Sequence, residues 1–168
     1  LFRSCIIRDN HDLLHPAAVY CENGAPVFDS CEIRENTGGW IYKSLNAPAA
    51  TGTSSSNGIG AEFVNSNPTI THCLFTGNTA IDADQINGAG ISAVNCTLSV
   101  SNSVFYGNSS GVDGGLGGAI FMSSSVGIFD SCIFESNEAG WSGGAVFGSD
   151  SNSTFTYCEF LSNHAQEE

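Results

Sequence analysis

Apolar side chains recur in short runs separated by Gly, Asn and Ser, and six of these runs superimpose on one nine-residue pattern. They are Phe2-Arg-Ser-Cys5-Ile-Ile7-Arg-Asp-Asn10, Phe28-Asp-Ser-Cys31-Glu-Ile33-Arg-Glu-Asn36, Ile70-Thr-His-Cys73-Leu-Phe75-Thr-Gly-Asn78, Val100-Ser-Asn-Ser103-Val-Phe105-Tyr-Gly-Asn108, Phe129-Asp-Ser-Cys132-Ile-Phe134-Glu-Ser-Asn137 and Phe155-Thr-Tyr-Cys158-Glu-Phe160-Leu-Ser-Asn163. The first position is always apolar, the sixth is Ile or Phe and the ninth is Asn, while the fourth is Cys except at Ser103. No run is long enough, or spaced at 3.6 residues, for an amphipathic helix, so two or three short strands per repeat are predicted. Two-residue alternation puts the fourth and sixth positions on one inward face.

The asparagines advance by 26, 42, 30, 29 and 26 residues, so one period is interrupted once, by an insertion. Residues 43–57, poor in core formers, fall where the period lengthens and read as a surface loop. A second block lies between the asparagines: Gly38-Gly-Trp-Ile41, Gly58-Ile-Gly-Ala61, Gly88-Ala-Gly-Ile91, Gly117-Gly-Ala-Ile120 and Gly143-Gly-Ala-Val146. It reads as a turn feeding another strand. A fixed period built from short strands predicts an all-β chain, a single-stranded right-handed parallel β-helix of about six coils that forms one domain over residues 1–168. Stacking like coils about 4.8 Å apart lays Phe on Phe and lets Asn amides bridge neighbouring turns. Neither end shows a capping segment, so the chain is expected to be a fragment of a longer helix, with flanking coils of the parent chain against its ends.

Composition narrows the partners. A hydrophobic content of 41% with 12% charged residues suits a packed core. The balance of 17 acidic against 4 basic residues, a net charge of −13, repels phosphate backbones and anionic bilayers, so no nucleic acid partner is expected. No apolar run reaches the length of about 18 residues that a spanning helix needs, so no membrane insertion by this segment is expected. Arg3, Arg8, Arg34 and Lys43 all lie in the first quarter, where any anionic ligand would bind.

The tetrapeptides Phe75-Thr-Gly-Asn78, Phe105-Tyr-Gly-Asn108, Phe134-Glu-Ser-Asn137 and Phe160-Leu-Ser-Asn163, paired with Gly117-Gly-Ala-Ile120 and Gly143-Gly-Ala-Val146, resemble the repeated FxxN and GGA(I/L/V) motifs of the polymorphic outer-membrane proteins. More broadly the repeats are similar to those of the pectin-lyase-like superfamily. The resemblance spans nearly the whole chain, with Ile7 and Ile33 in place of the motif Phe. It implies an autotransporter-type adhesin with a parallel β-helical passenger, an extracellular or outer-membrane surface location, and attachment to a protein or glycan on a cell surface.

Residues that could carry chemistry are sparse. Cys5, Cys31, Cys73, Cys132 and Cys158 share one inward column, where they serve as small hydrophobes. Parallel Cβ vectors oppose disulfides between stacked neighbours, so free thiols are expected there, whereas the pairing of Cys21 and Cys96 stays open. There is no CxxC, and His11, His15, His72 and His164 lack metal-ligand spacing. Asp82, Asp84 and Asp113 could ligate calcium from a turn, but no calcium repeat is visible, so no metal and no cofactor is assigned. The glycosylation sequons at Asn95, Asn108 and Asn152 are what a chain rich in Asn, Ser and Thr produces by composition.

Parallel β-helices also house polysaccharide lyases and glycoside hydrolases, which need an acid and base pair or a base with cations. Such charges gather only on the first two coils, as Arg8 with Arg34, Asp9 with Glu35, and Asp29 and Glu32. Their repetition in register reads as surface ion pairs, so no catalytic residue is assigned and the enzyme is the alternative reading. The fifth position of the pattern faces outward and runs Ile6, Glu32, Leu74, Val104, Ile133, Glu159. Leu74, Val104 and Ile133, flanked by Tyr106, Tyr157 and Leu161, form the candidate partner-binding patch, to be covered either by a macromolecular partner or by a loop or neighbouring domain.

Overall fold

The computed structural model describes residues 1–12, 17–38, 58–81, 86–111 and 114–166, all as strands, turns and bends. Three parallel sheets run along the stack, with short two-residue strands pairing after the asparagines. Sheet 1 stacks Phe2–Arg3, Val27–Asp29, Thr69–Thr71, Thr97–Ser101, Val126–Asp130 and Asn152–Thr156. Sheet 2 stacks Ile6–Arg8, Glu32–Arg34, Leu74–Thr76, Val104–Tyr106, Ile133–Glu135 and Glu159–Leu161. Sheet 3 stacks Val19–Glu22, Ala61–Val64, Ile91–Val94, Ile120–Ser123 and Val146–Ser149. Every strand pairs with the matching strand one coil away, which is the topology of a β-solenoid and bears out the all-β stack read from the repeat.

Register follows the sequence pattern residue for residue. The first positions align as Phe2, Phe28, Ile70, Val100, Phe129 and Phe155 in sheet 1. The sixth align as Ile7, Ile33, Phe75, Phe105, Phe134 and Phe160 in sheet 2. Both lines point inward. Phe75, Phe105 and Phe134 are fully buried and stack with ring centroids 5.0 Å apart, a rung spacing imposed on the rings by the backbone. Edge contacts between the two lines, such as Phe129 on Phe134 at 5.9 Å, close the core between sheets 1 and 2.

Between these sheets the chain turns through one residue in the left-handed region: Ser4, Ser30, His72, Asn102, Ser131 and Tyr157 all have φ of 49–56°. The corner is compact enough that the next residue, the Cys or Ser of the pattern, points into the core. A second left-handed corner follows sheet 2, and the asparagine after it turns inward. Each Asn Nδ2 donates to the Oδ1 of the Asn one coil on, from Asn10 through Asn36, Asn78, Asn108 and Asn137 to Asn163, at 2.9 Å in every step. The same Oδ1 accepts the backbone N–H of the preceding Asn, and the second Nδ2 proton reaches a carbonyl such as Phe75 O at 3.0 Å. The amides of Asn36, Asn78, Asn108 and Asn137 are thus buried with their hydrogen bonds made, as buried polar groups must be.

The insertion leaves this order intact. Asn36 bonds Asn78 and Phe28 pairs with Ile70 across the 42-residue step, with the same geometry as elsewhere. Residues 43–57 themselves lie outside the described residues. Four glycine blocks do open sheet 3 strands, beginning at Ala61, Ile91, Ile120 and Val146. The leading glycine is demanded by the backbone: Gly88 has φ of +72°, and a Cβ there would sit 2.0 Å from Ile91 O. Gly38 departs from the expectation. It ends the two-residue strand Thr37–Gly38 just after the Asn corner, in register with Asp12 and Ala80, and feeds no sheet 3 strand. The rest of that block lies outside the described residues.

Candidate partner-binding face

Sheet 2 carries the candidate patch. Its register sets Leu74 beside Val104 and Val104 beside Ile133, with Glu32 and Glu159 at the two ends of the row. All three apolar side chains are partly exposed, flanked on the sheet by their strand neighbours. One row over, Tyr106 stands 49% exposed between Thr76 and Glu135, and Leu161, in register beyond Glu135, is 45% exposed. The geometry therefore brings Leu74, Val104, Ile133, Tyr106 and Leu161 onto one outward sheet face, with Glu32 and Glu159 at the ends of the first row and Glu135 between Tyr106 and Leu161 in the second. Tyr157 faces outward too, 86% exposed, but it sits in the left-handed corner before sheet 2, so the corner and not strand alternation sets its direction.

Sheet 1 shows outward apolar residues that the pattern did not single out, Val126 and Ile128 at 43% and 48% exposure. The signal was available in the alternation Val126-Gly-Ile-Phe-Asp130, where Phe129 inward forces Ile128 outward.

The charges of the first two coils pair on the solvent side. Arg3 Nε lies 3.0 Å from Asp29 across the coils, Arg8 Nε 3.5 Å from Asp9, and Arg34 Nη1 2.9 Å from Glu35. Arg34 Nε also lies 3.2 Å from Glu32, without hydrogen-bond geometry. Exposed pairs of this kind are each worth about 0–1 kcal/mol. His72 approaches Asp29 at 3.9 Å and His11 Nδ1 meets Thr37 Oγ1 at 2.8 Å. Among the described residues no three His, Cys, Asp or Glu side chains converge on a metal-sized site, and His15, Asp82, Asp84 and Asp113 lie outside them. Asn108 is buried in the amide ladder and unreachable for glycosylation in the folded chain, whereas Asn95 and Asn152 are exposed.

All seven cysteines are free thiols, and their columns do a backbone task. Cys31 N–H donates to Cys73 Sγ at 3.4 Å and Cys73 N–H to Ser103 Oγ at 3.1 Å, which explains why Ser can replace Cys in that line. A second line at the corner after sheet 3 works alike: Ser66 N–H donates to Cys96 Sγ, Cys96 N–H to Ser125 Oγ, and Ser125 N–H to Ser151 Oγ. That line places Cys96. In the first coil its position is Gly24, and a Cβ there would lie 2.7 Å from Cys21 Sγ, so the sulfur of Cys21 occupies the missing side chain's space.

Burial pushes the Cys73 and Cys132 thiols up to about 11, and raises Cys96 as well. Since the thiolate is the nucleophile, these three should resist iodoacetamide at pH 8 in the folded chain, while the half-buried Cys5 and Cys158 at the ends react. Peptide mass mapping with and without denaturant checks this. The raised values of Cys73 and Cys132 also mean that the stability they contribute is fully present below the ordinary thiol value and is lost as pH climbs through it towards about 11.

Residues 131–149 match the Chlamydia polymorphic membrane protein (Chlamydia_PMP) repeat. The matched stretch runs from the corner at Ser131 through Ile133, Phe134 and Asn137 to the sheet 3 strand ending at Ser149, and so contains one FxxN and one GGA(V) segment. It covers most of one coil, including one member of the outward row. Searches of curated proteins and of solved structures gave no match.

Proposed function

We propose that this chain is a surface-exposed, adhesin-like stretch of β-solenoid, displayed outside the cell or at the outer membrane, that binds a protein or glycan of another cell surface through the outward face of sheet 2. The observation that carries this reading is the in-register row Leu74, Val104, Ile133, partly exposed and adjoined by Tyr106 and Leu161. A row of that kind gives a partner an apolar strip fixed on a rigid sheet, and the carboxylates of Glu32 and Glu159 mark its two ends. The similarity of residues 131–149 to a repeat of the polymorphic membrane proteins supports display at a surface.

Val104→Asp combined with Ile133→Asp is expected to lower attachment of the purified chain to cell monolayers at least tenfold. The melting temperature should stay nearly constant, because outward side chains contribute little to the stacked core. Thr154→Asp, on the outward side of sheet 1, serves as the control. Unchanged attachment by the double variant would remove sheet 2 from the reading, and marked unfolding would show that the face is packed against the chain's own structure.

A further inference from the structure

We infer that the inward thiol column between sheets 1 and 2 binds a soft, two-coordinate divalent metal ion, the class of Hg(II), between the sulfurs of adjoining coils. In all five coils that carry it, the cysteine adopts one conformation, with Sγ donating to the carbonyl two residues back. Cys5 donates to Arg3 O at 3.3 Å, Cys31 to Asp29 O at 3.4 Å, Cys73 to Thr71 O at 3.2 Å, and Cys132 and Cys158 to Asp130 O and Thr156 O at 3.4 Å. The backbone steps by one rung at the same place: Glu32 N donates to Cys5 O, Leu74 N to Cys31 O and Glu159 N to Cys132 O. Neighbouring sulfurs are therefore related by the rung translation, the step that sets the flanking ring centroids 4.7 to 5.0 Å apart.

That separation is too long for a disulfide, whose sulfurs bond at about 2.05 Å. It matches two metal–sulfur bonds of about 2.3 Å laid end to end, about 4.6 Å in all. Because each side chain points inward, across the solenoid axis, an ion midway between two sulfurs lies in line with both and meets each carbon–sulfur bond near a right angle. Among the described residues no third ligand converges on either pair, which suits an ion that takes only two, and thiolates select soft ions over hard ones. Cys31, Cys73 and Cys132 are buried, so the ion must leave no net charge in the core. A divalent ion meets that condition: it displaces two thiol protons to solvent, and the ion with its two thiolates is neutral. The Cys31 N–H already points at Cys73 Sγ, at 3.4 Å, and supports the thiolate there. Ser103 divides the column, since its hydroxyl is no ligand for a soft ion. Cys5, Cys31 and Cys73 stand on one side and Cys132 with Cys158 on the other, and each side holds one ion.

Native mass spectrometry of the full chain with Hg(II) tests this, in EDTA to remove singly held ions and with Cys21→Ala and Cys96→Ser to delete the two thiols outside the column. Serine already stands in both corner lines, at Ser103 and Ser125, so serine variants keep the fold. Two ions are expected, with two sulfur neighbours each by X-ray absorption and a raised melting temperature. Cys31→Ser should leave one ion, because Cys5 and Cys73 are two rungs apart. Cys73→Ser should leave two, because Cys5 and Cys31 still adjoin. Ser103→Cys should raise the count to three. Equal losses at Cys31 and Cys73, the result for thiols captured from an unfolded chain, overturn the inference, as does a folded chain that takes up no ion or a count unchanged by Ser103→Cys.

Discussion

Asn108→Leu is expected to destabilise the folded chain by about 3–5 kcal/mol, a large share of the 5–15 kcal/mol that holds a typical domain together. Leucine nearly keeps the volume, so the loss is one of hydrogen bonding. Asn108 Oδ1 accepts both the N–H and the Nδ2 of Asn78, and Asn108 Nδ2 donates to Phe75 O and Asn137 Oδ1. Substitution leaves two donors of Asn78 buried and unpaired, each costing about 1–3 kcal/mol. Asn163→Leu should cost less, because Asn163 is half-buried and, among the described residues, bonds one neighbouring asparagine side chain where Asn108 bonds two. Urea denaturation measures both, and hydrogen exchange should show the Asn108 defect concentrated in the coils of Asn78 and Asn137, since a solenoid couples only nearest neighbours. Equal effects at the two positions would mean that the amide ladder does not stabilise the interior.

Phe105→Ala is expected to cost a further about 3–5 kcal/mol when made alone, through the cavity it leaves. Its ring is fully buried, with Phe75 and Phe134 stacked on its two faces at 5.0 Å, so truncation removes two ring contacts as well as transfer energy. Phe160→Ala removes a ring that is 48% exposed and has one stacked neighbour, so about 1 kcal/mol is expected. Thermal unfolding followed by circular dichroism distinguishes the two. A loss at Phe105 no larger than at Phe160 would contradict the stacked core.

The sequence pattern conveyed the parts of this fold that repetition itself determines. A column of identical residues, such as the six asparagines, is legible because each member fills the same place one rung on, and the register at Phe28 with Ile70 shows that even the insertion did not blur it. The corners were not legible. Tyr157 is outward, yet for a reason the pattern does not display: the residue at its position adopts left-handed φ in every coil, and the inward and outward count restarts after it. Gly38 was grouped with the glycines that feed sheet 3, although what distinguishes those is a clash between a Cβ and a carbonyl three residues on, which composition does not display. The first sheet 3 strand, Val19–Glu22, has no glycine block ahead of it and went unseen, as did the reason for Cys21. Ser92 and Phe121 lie on the side of sheet 3 away from the core line of Ala93 and Met122, and are nonetheless buried. Of the candidate patch, the row Leu74, Val104, Ile133 followed directly from the repeat; its partial exposure did not, since that depends on how closely neighbouring strands crowd each side chain.

The stacked register alone brings Leu74, Val104 and Ile133, 30 and 29 residues apart, into one outward row. It is tested most directly by NMR scalar couplings across the side-chain hydrogen bonds of the asparagines. Slowly exchanging Nδ2 protons are expected for Asn36, Asn78 and Asn108, each coupled to the side-chain carbonyl carbon of the next asparagine in the order Asn78, Asn108, Asn137. Fast exchange of these protons, or a coupling that links Asn36 to any residue other than Asn78 across the insertion, would contradict it.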